Sequence, residues 1–116
     1  MQREQPKPCP PPPDIESIRE LVRAADPEGH LAEGAPLDEY EPEEDAIFEN
    51  VAHLGKSELV SGNTLSIIRG VWQKSFHLNN AEMAEREHAL IGLAERIEQF
   101  FGPKATPQVR SLPNNR

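Results

Sequence analysis

Asp38, Glu39, Glu41, Glu44 and Asp45 put five carboxylates within eight residues, the densest set of chemically capable side chains in the chain. Oxygen ligands of this kind suit calcium or magnesium. The spacing is not that of an EF-hand, however, and the central glycine of such a loop is missing. A second pattern, Glu85-x-x-His88, has the spacing of carboxylate-bridged di-metal bundles. Those sites need two copies of the motif plus further inward glutamates. Here it occurs once, and His88 falls on the polar side of its helix. The other histidines, His30, His53 and His77, form no ligand pattern. Cys9, the single cysteine, sits in a proline-rich leader, and neither a glycine-flanked serine elbow nor a phosphate-cradling loop is present. The residues therefore point away from an enzyme, and no catalytic residue, resident metal or cofactor is expected.

Charge suggests a different kind of chemistry. The 116 residues carry a formal net charge of −8, and residues 14–58 hold fourteen acids against three basic residues, a local net of −11. Such a surface repels a phosphate backbone, which argues against nucleic acid. It suits a basic protein, whose association it would accelerate. The absence of a disulfide partner for Cys9, of an apolar leader and of a long apolar run predicts a cytoplasmic protein that does not enter the membrane.

Four helical segments must position these groups. Asp14 is a good N-cap for a first helix whose Ile15, Ile18, Leu21, Val22 and Ala25 make one apolar stripe, ended by Asp26-Pro27. A second helix is expected to start at Pro42 with Glu41 at the capping position, to bury Ile47, Val51 and Leu54, and to stop at Gly55. Gly62-Asn63 reads as a break, and a third helix as running from about Thr64 to His77. Its apolar residues cover nearly half of its circumference, more than a surface helix needs. This helix should be central in the bundle or shared with another molecule. Asn79 and Glu82 form a capping-box pattern for a fourth helix carrying Met83, Leu90, Ala94, Ile97 and Phe101, with Gly102-Pro103 as its stop. The predicted fold is all-α, a small irregular four-helix bundle over 14–101. Flanking it are a Pro-rich disordered leader (1–13), which contains a Pro8-x-x-Pro11 spacing, and a disordered tail (102–116).

The first connection is long for so small a domain. Asp26-Pro27-Glu28-Gly29 has the proline and glycine positions of a tight turn, and Leu31 and Leu37 are expected to anchor the loop on the bundle. Asp26, Pro27, Gly29, Asp38, Glu39, Tyr40 and Pro42 also carry a resemblance. The segment is similar to one in small helical bacterial proteins, where Asp-Pro-x-Gly is followed by Asp-Glu-Tyr and then by Asp-Pro or a similar helix start. It covers about residues 15–60. The chain departs from that pattern with Glu41 where Asp is common and His30 where an apolar residue is usual. Those proteins have no established activity, so the resemblance implies a short helical domain and nothing about chemistry.

Together these features predict a small acidic, non-enzymatic protein-interaction module of adaptor or immunity-like type. The expected partner is another protein, a basic one by charge, and a homo-oligomer is compatible with the same features. Asp38, Glu39, Tyr40, Glu41, Glu43, Glu44 and Asp45 are the candidate binding residues. Trp72 joins them if exposed, the competing reading being that it is the centre of the core. Neutralising Glu41, Glu43, Glu44 and Asp45 is expected to weaken binding without unfolding the domain. The alternative is a small-molecule or divalent-cation site beneath the 26–42 loop.

Overall fold

In the computed structural model, which describes residues 13–104, Asp14 adopts an extended backbone and its carboxylate accepts the Ser17 N–H at 3.0 Å, starting the first helix α1 (Ile15–Ala25). Three more helices follow: α2 (Glu41–Val51), α3 (Ser61–Phe76) and α4 (Asn80–Phe101). Short 3₁₀ turns at Leu37–Tyr40 and Lys56–Glu58 precede α2 and α3. Among the described residues there is no strand, and the all-α four-helix architecture holds. No helix among them is long and apolar enough to cross a membrane. The leader up to residue 12 and the tail from residue 105 lie outside the described residues.

The core is one cluster to which every helix contributes. Ile18 and Val22 from α1, Ile47 and Val51 from α2, Ile68 and Trp72 from α3, and Leu90 and Ile97 from α4 are all completely buried. α3 packs on α2 along one flank and on α4 along the other, as α1 also does. The wide apolar arc of α3 thus has a partial explanation inside the fold: Ile68 and Trp72 point inward, while Leu65, Ile67 and Val71 stay half-buried on the flanks.

Several boundaries differ from the sequence reading. α2 begins at Glu41 with Tyr40 as its N-cap and ends at Val51, well before Gly55, whose N–H is instead held by Glu58 Oε1 at 2.7 Å. α3 begins at Ser61 and absorbs Gly62-Asn63 into its first turn. An N-terminal turn tolerates such residues because its N–H groups have no partner within the helix in any case. The neighbouring helix supplies one acceptor, since Ser61 N–H donates to Glu98 Oε1 at 2.9 Å. The predicted capping box of α4 is complete. Asn79 accepts the Glu82 N–H at 2.8 Å, and Glu82 accepts the Asn79 N–H at 2.9 Å. At the far end of α4, Gly102 is required by space: a Cβ there would come within 2.7 Å of the Leu59 carbonyl.

Candidate functional site

The long acidic connection is folded around two side chains, Tyr40 and Glu28. α1 ends on Asp26 in the left-handed region (φ 43°), a conformation that Asp tolerates better than most residues. The turn that follows closes with Gly29 N–H on the Asp26 carbonyl at 2.9 Å, and Gly29 itself needs φ 74°. The Tyr40 hydroxyl then reaches back. It donates to Asp26 Oδ1 at 2.6 Å and accepts the Glu28 and His30 N–H groups at 3.0 and 3.4 Å. Asp26 also accepts the N–H groups of Leu31 and Ala32. Burial and the Asp26 carboxylate both push the Tyr40 phenol well above its ordinary range. Burial works to raise Asp26, but the hydrogen bonds from Tyr40, Leu31 and Ala32 outweigh it and hold the carboxyl below its usual value.

Glu28 fastens this loop to the other half of the bundle. Its side chain is 8% exposed. Oε2 accepts the indole N–H of Trp72 at 2.7 Å and Nε of Arg86 at 2.6 Å, while Oε1 accepts Arg86 Nη2 at 2.9 Å. Burial opposes the charge, yet the bidentate arginine and the indole keep Glu28 below the usual carboxylate range. A row of rings lies beneath: His30 stacked on Tyr40 (centroids 5.7 Å apart), Tyr40 on Trp72 (5.6 Å) and Trp72 on Phe76 (5.3 Å). The volume under the loop is thus filled by aromatic side chains and one guanidinium.

The start of α2 holds the second polar cluster. Glu44 is completely buried between Arg19 and Arg23 of α1, with Arg19 Nη1 at 3.0 Å and Arg23 Nε at 3.0 Å. Arg19 also reaches Asp45 at 3.2 Å and Glu41 at 3.7 Å. The hydrogen bond to Glu44, helped by these neighbouring carboxylates, raises the Arg19 guanidinium above its ordinary value.

The structure divides the candidate binding residues into two sets. Asp38, Glu39, Glu41 and Asp45 lie on the surface, with Glu39 Oε2 3.3 Å from His30 Nδ1. Tyr40, Glu44 and Trp72 are fully buried and Glu43 nearly so, which corrects their assignment as contact residues. Tyr40 and Trp72 are core rings whose polar tips serve the loop, and Glu44 is the counter-ion of two arginines. Neutralising Glu44 with the surface acids would therefore disturb the fold, contrary to the sequence expectation. Leu37, expected as an anchor, is 67% exposed, and only Leu31 packs on the core. The five carboxylates considered as cation ligands, Asp38, Glu39, Glu41, Glu44 and Asp45, do not converge, because Glu44 turns inward. Among the described residues no group of three or more Asp, Glu, His or Cys side chains is arranged to hold a metal ion.

Sequence reasoning missed Asp26, Glu28 and Arg86 as site-forming residues, and Arg19 and Arg23 as the partners of Glu44. One signal was available for the last pair. Glu44, Ile47 and Val51 share a helical stripe, which puts a carboxylate in core register, and Arg19 and Arg23 are one turn apart on α1. Comparison with known proteins adds no relative: no family model matches the chain, nor does any curated protein or solved structure.

Proposed function

We propose that the chain is a small, acidic, non-enzymatic module, acting in the cytoplasm, that binds another protein through the surface at the start of α2. The observation that carries this reading is the exposure of Asp38, Glu39, Glu41 and Asp45 on the 3₁₀ turn and the first turns of α2 that follow it, beside inward-facing acids that serve the fold. The fold accounts for Asp26, Glu28 and Glu44. It asks little of the exposed four, apart from the contacts with His30 and Arg19. Carboxylates fixed on a helix start make a preorganised negative patch, and such a patch selects basic partners and raises the association rate. Kinship with the small bacterial helical proteins that share the Asp-Pro-x-Gly and Asp-Glu-Tyr segments belongs to the same proposal.

The test keeps Glu43 and Glu44 intact. Wild type and a D38N/E39Q/E41Q/D45N variant are used side by side for affinity capture from the native cells, after circular dichroism has shown equal folding. A basic protein retained by wild type and lost by the variant supports the reading. Identical captured sets from the two forms would overturn it.

A further inference from the structure

Three of the carboxylates that turn inward between residues 26 and 45 are met by the fold. Backbone N–H groups and the Tyr40 hydroxyl meet Asp26, Arg86 and the Trp72 indole meet Glu28, and Arg19 with Arg23 meets Glu44. Glu43 differs from all three. It is 7% exposed, and among the described residues no hydrogen bond or ion pair reaches its carboxylate. It is the third residue of α2, where backbone N–H groups lack partners inside the helix. Even so, no side chain caps that helix start. Nor is the carboxylate sealed in. Among the described residues the one side-chain nitrogen or oxygen both closed to solvent and without a hydrogen bond is His30 Nδ1. The stem of Glu43 is therefore packed, while its oxygens keep a small opening.

The helix fixes the side to which Glu43 belongs. Glu43, Ala46 and Asn50 recur at i, i+3 and i+7 and share one flank of α2. Glu41 and Asp45 lie on the other flank, turned toward Arg19. Ala46 and Asn50 border a groove of about 650 Å³ between α2 and α3, with Ile67 and Val71 half-buried along it. Glu43 stands one turn before Ala46 on that flank.

A carboxylate drawn this far into a fold needs a cation or several donors. A metal ion would need further ligands, and among the described residues no three Asp, Glu, His or Cys side chains are so placed. A guanidinium or ammonium group needs only the one carboxylate, to which it donates directly. The aliphatic stem behind such a head lies well on apolar surface of the kind Ile67 and Val71 offer. We propose that Glu43 is a socket for one arginine or lysine side chain that a partner protein inserts beside the α2–α3 groove. Burial takes Glu43 out of a flat contact surface but leaves it within reach of a single inserted side chain. The proposal rests on the reading of the partner as a basic protein, and on none of the four surface acids.

Two measurements on the full chain test it. In thermal melts, Glu43→Gln should melt at or above the wild type, because it removes a charge that the fold leaves unmet, whereas Glu44→Gln should melt lower. A fall of several degrees in E43Q would show that the fold itself uses Glu43 and would overturn the proposal. A parallel fall in K74M would then name Lys74, which borders the same groove, as the counter-ion. In amide NMR titrations at physiological salt, the probes are blocked Gly-Arg-Gly and Gly-Lys-Gly peptides, with Gly-norleucine-Gly as the neutral control. The basic peptides should shift the Ala46 and Asn50 signals saturably, and E43Q should weaken that binding about tenfold or more. The D38N/E39Q/E41Q/D45N variant keeps Glu43 and should bind the peptides as the wild type does, so the capture experiment judges the surface acids separately. Basic peptides that act no differently from the neutral one, or shifts that persist in E43Q, would overturn the proposal. Shifts lost only in the fourfold variant would overturn it too, and would assign the binding to the surface acids.

Discussion

Replacing Glu28 by Gln tests the central claim about the loop. Glutamine keeps the shape and one acceptor oxygen but removes the charge and turns an NH₂ toward donors. Glu28 is 8% exposed and takes three hydrogen bonds, one from Trp72 and two from Arg86, whose side chain is 22% exposed. Removing one partner of a buried ion pair costs about 3–5 kcal/mol, and a hydrogen bond to a charged group contributes about 1.5–3 kcal/mol. Arg86 keeps some contact with water and with the Glu82 carbonyl at 2.8 Å, so the lower end applies and about 3 kcal/mol is expected. A domain of this size has only about 5 kcal/mol or slightly more to lose, and about 3 kcal/mol corresponds to a fall of roughly 12–24 °C in Tm. Urea unfolding should be followed by far-UV circular dichroism and by the fluorescence of the single tryptophan. Trp72 touches Tyr40 and Phe76 as well as Glu28, so both probes should shift together. A loss below about 1 kcal/mol would refute the idea that Glu28 locks the loop to the core. So would a change in fluorescence with an unmoved circular-dichroism midpoint, since the loop would then be a separable flap.

Three further outcomes are expected. Asp26 and Glu28 both have folded-state pKa values below their unfolded ones, so their stabilisation is complete above pH ~5 and is lost as pH falls through and below about 4.5 and 3.8. Urea midpoints measured from pH 7 to pH 3 should show this acid limb, and E28Q should flatten it. Tyr40 is the only tyrosine and its phenol is held up by burial and by Asp26. Alkaline titration of absorbance should therefore show no ionisation near pH ~10 until the domain unfolds, and Tyr40→Phe should cost about 1–3 kcal/mol by orphaning the Glu28 and His30 N–H groups. Glu44→Gln should destabilise by about 3 kcal/mol, while Asp45→Asn, at a side chain 52% exposed, should stay within about 0.5 kcal/mol. Thermal melts of the two single variants make the comparison.

The helices were legible wherever one short stretch holds the whole signal. Asp14 with the 15–25 stripe, and Asn79 with Glu82, are complete within a few residues, and the structure forms both as read. Boundaries that depend on a neighbour were not legible. α3 extends back to Ser61 because Glu98, 37 residues away, accepts its first N–H. The turn at 26–29 could be read locally, but the reason for the length of the loop could not. Glu28 meets Trp72 and Arg86 across 44 and 58 residues, and no periodicity encodes such a pairing. Tyr40, a candidate binding residue by its place in the acidic segment, packs as a buried ring with its hydroxyl on Asp26. Its neighbours Asp38 and Glu39 point outward, a division that depends on the 3₁₀ turn at 37–40.

The same turn explains why acidity alone overstates the binding surface. Of the nine acids between residues 26 and 45, Asp26 and Glu28 fix the loop, Glu44 fixes α1 to α2, and Glu43 is nearly buried. Glu33, Asp38, Glu39, Glu41 and Asp45 remain exposed. Buried carboxylates hold long segments in place only when cations or N–H groups meet them, and each inward acid with a mapped role is met in that way. Arg19 and Arg23 supply Glu44, Arg86 supplies Glu28, and backbone N–H groups with the Tyr40 hydroxyl supply Asp26. Arg23 and Arg86 are thereby committed to inward acids, while Arg19 serves Glu44 and two surface carboxylates, Glu41 and Asp45, at once. The patch at the start of α2 is therefore compensated unevenly: Arg19, held by Glu44, also reaches Glu41 and Asp45, whereas Asp38 has no ion pair among the described residues and Glu39 has only His30 beside it, so a basic partner gains most at the 3₁₀ turn that precedes the helix.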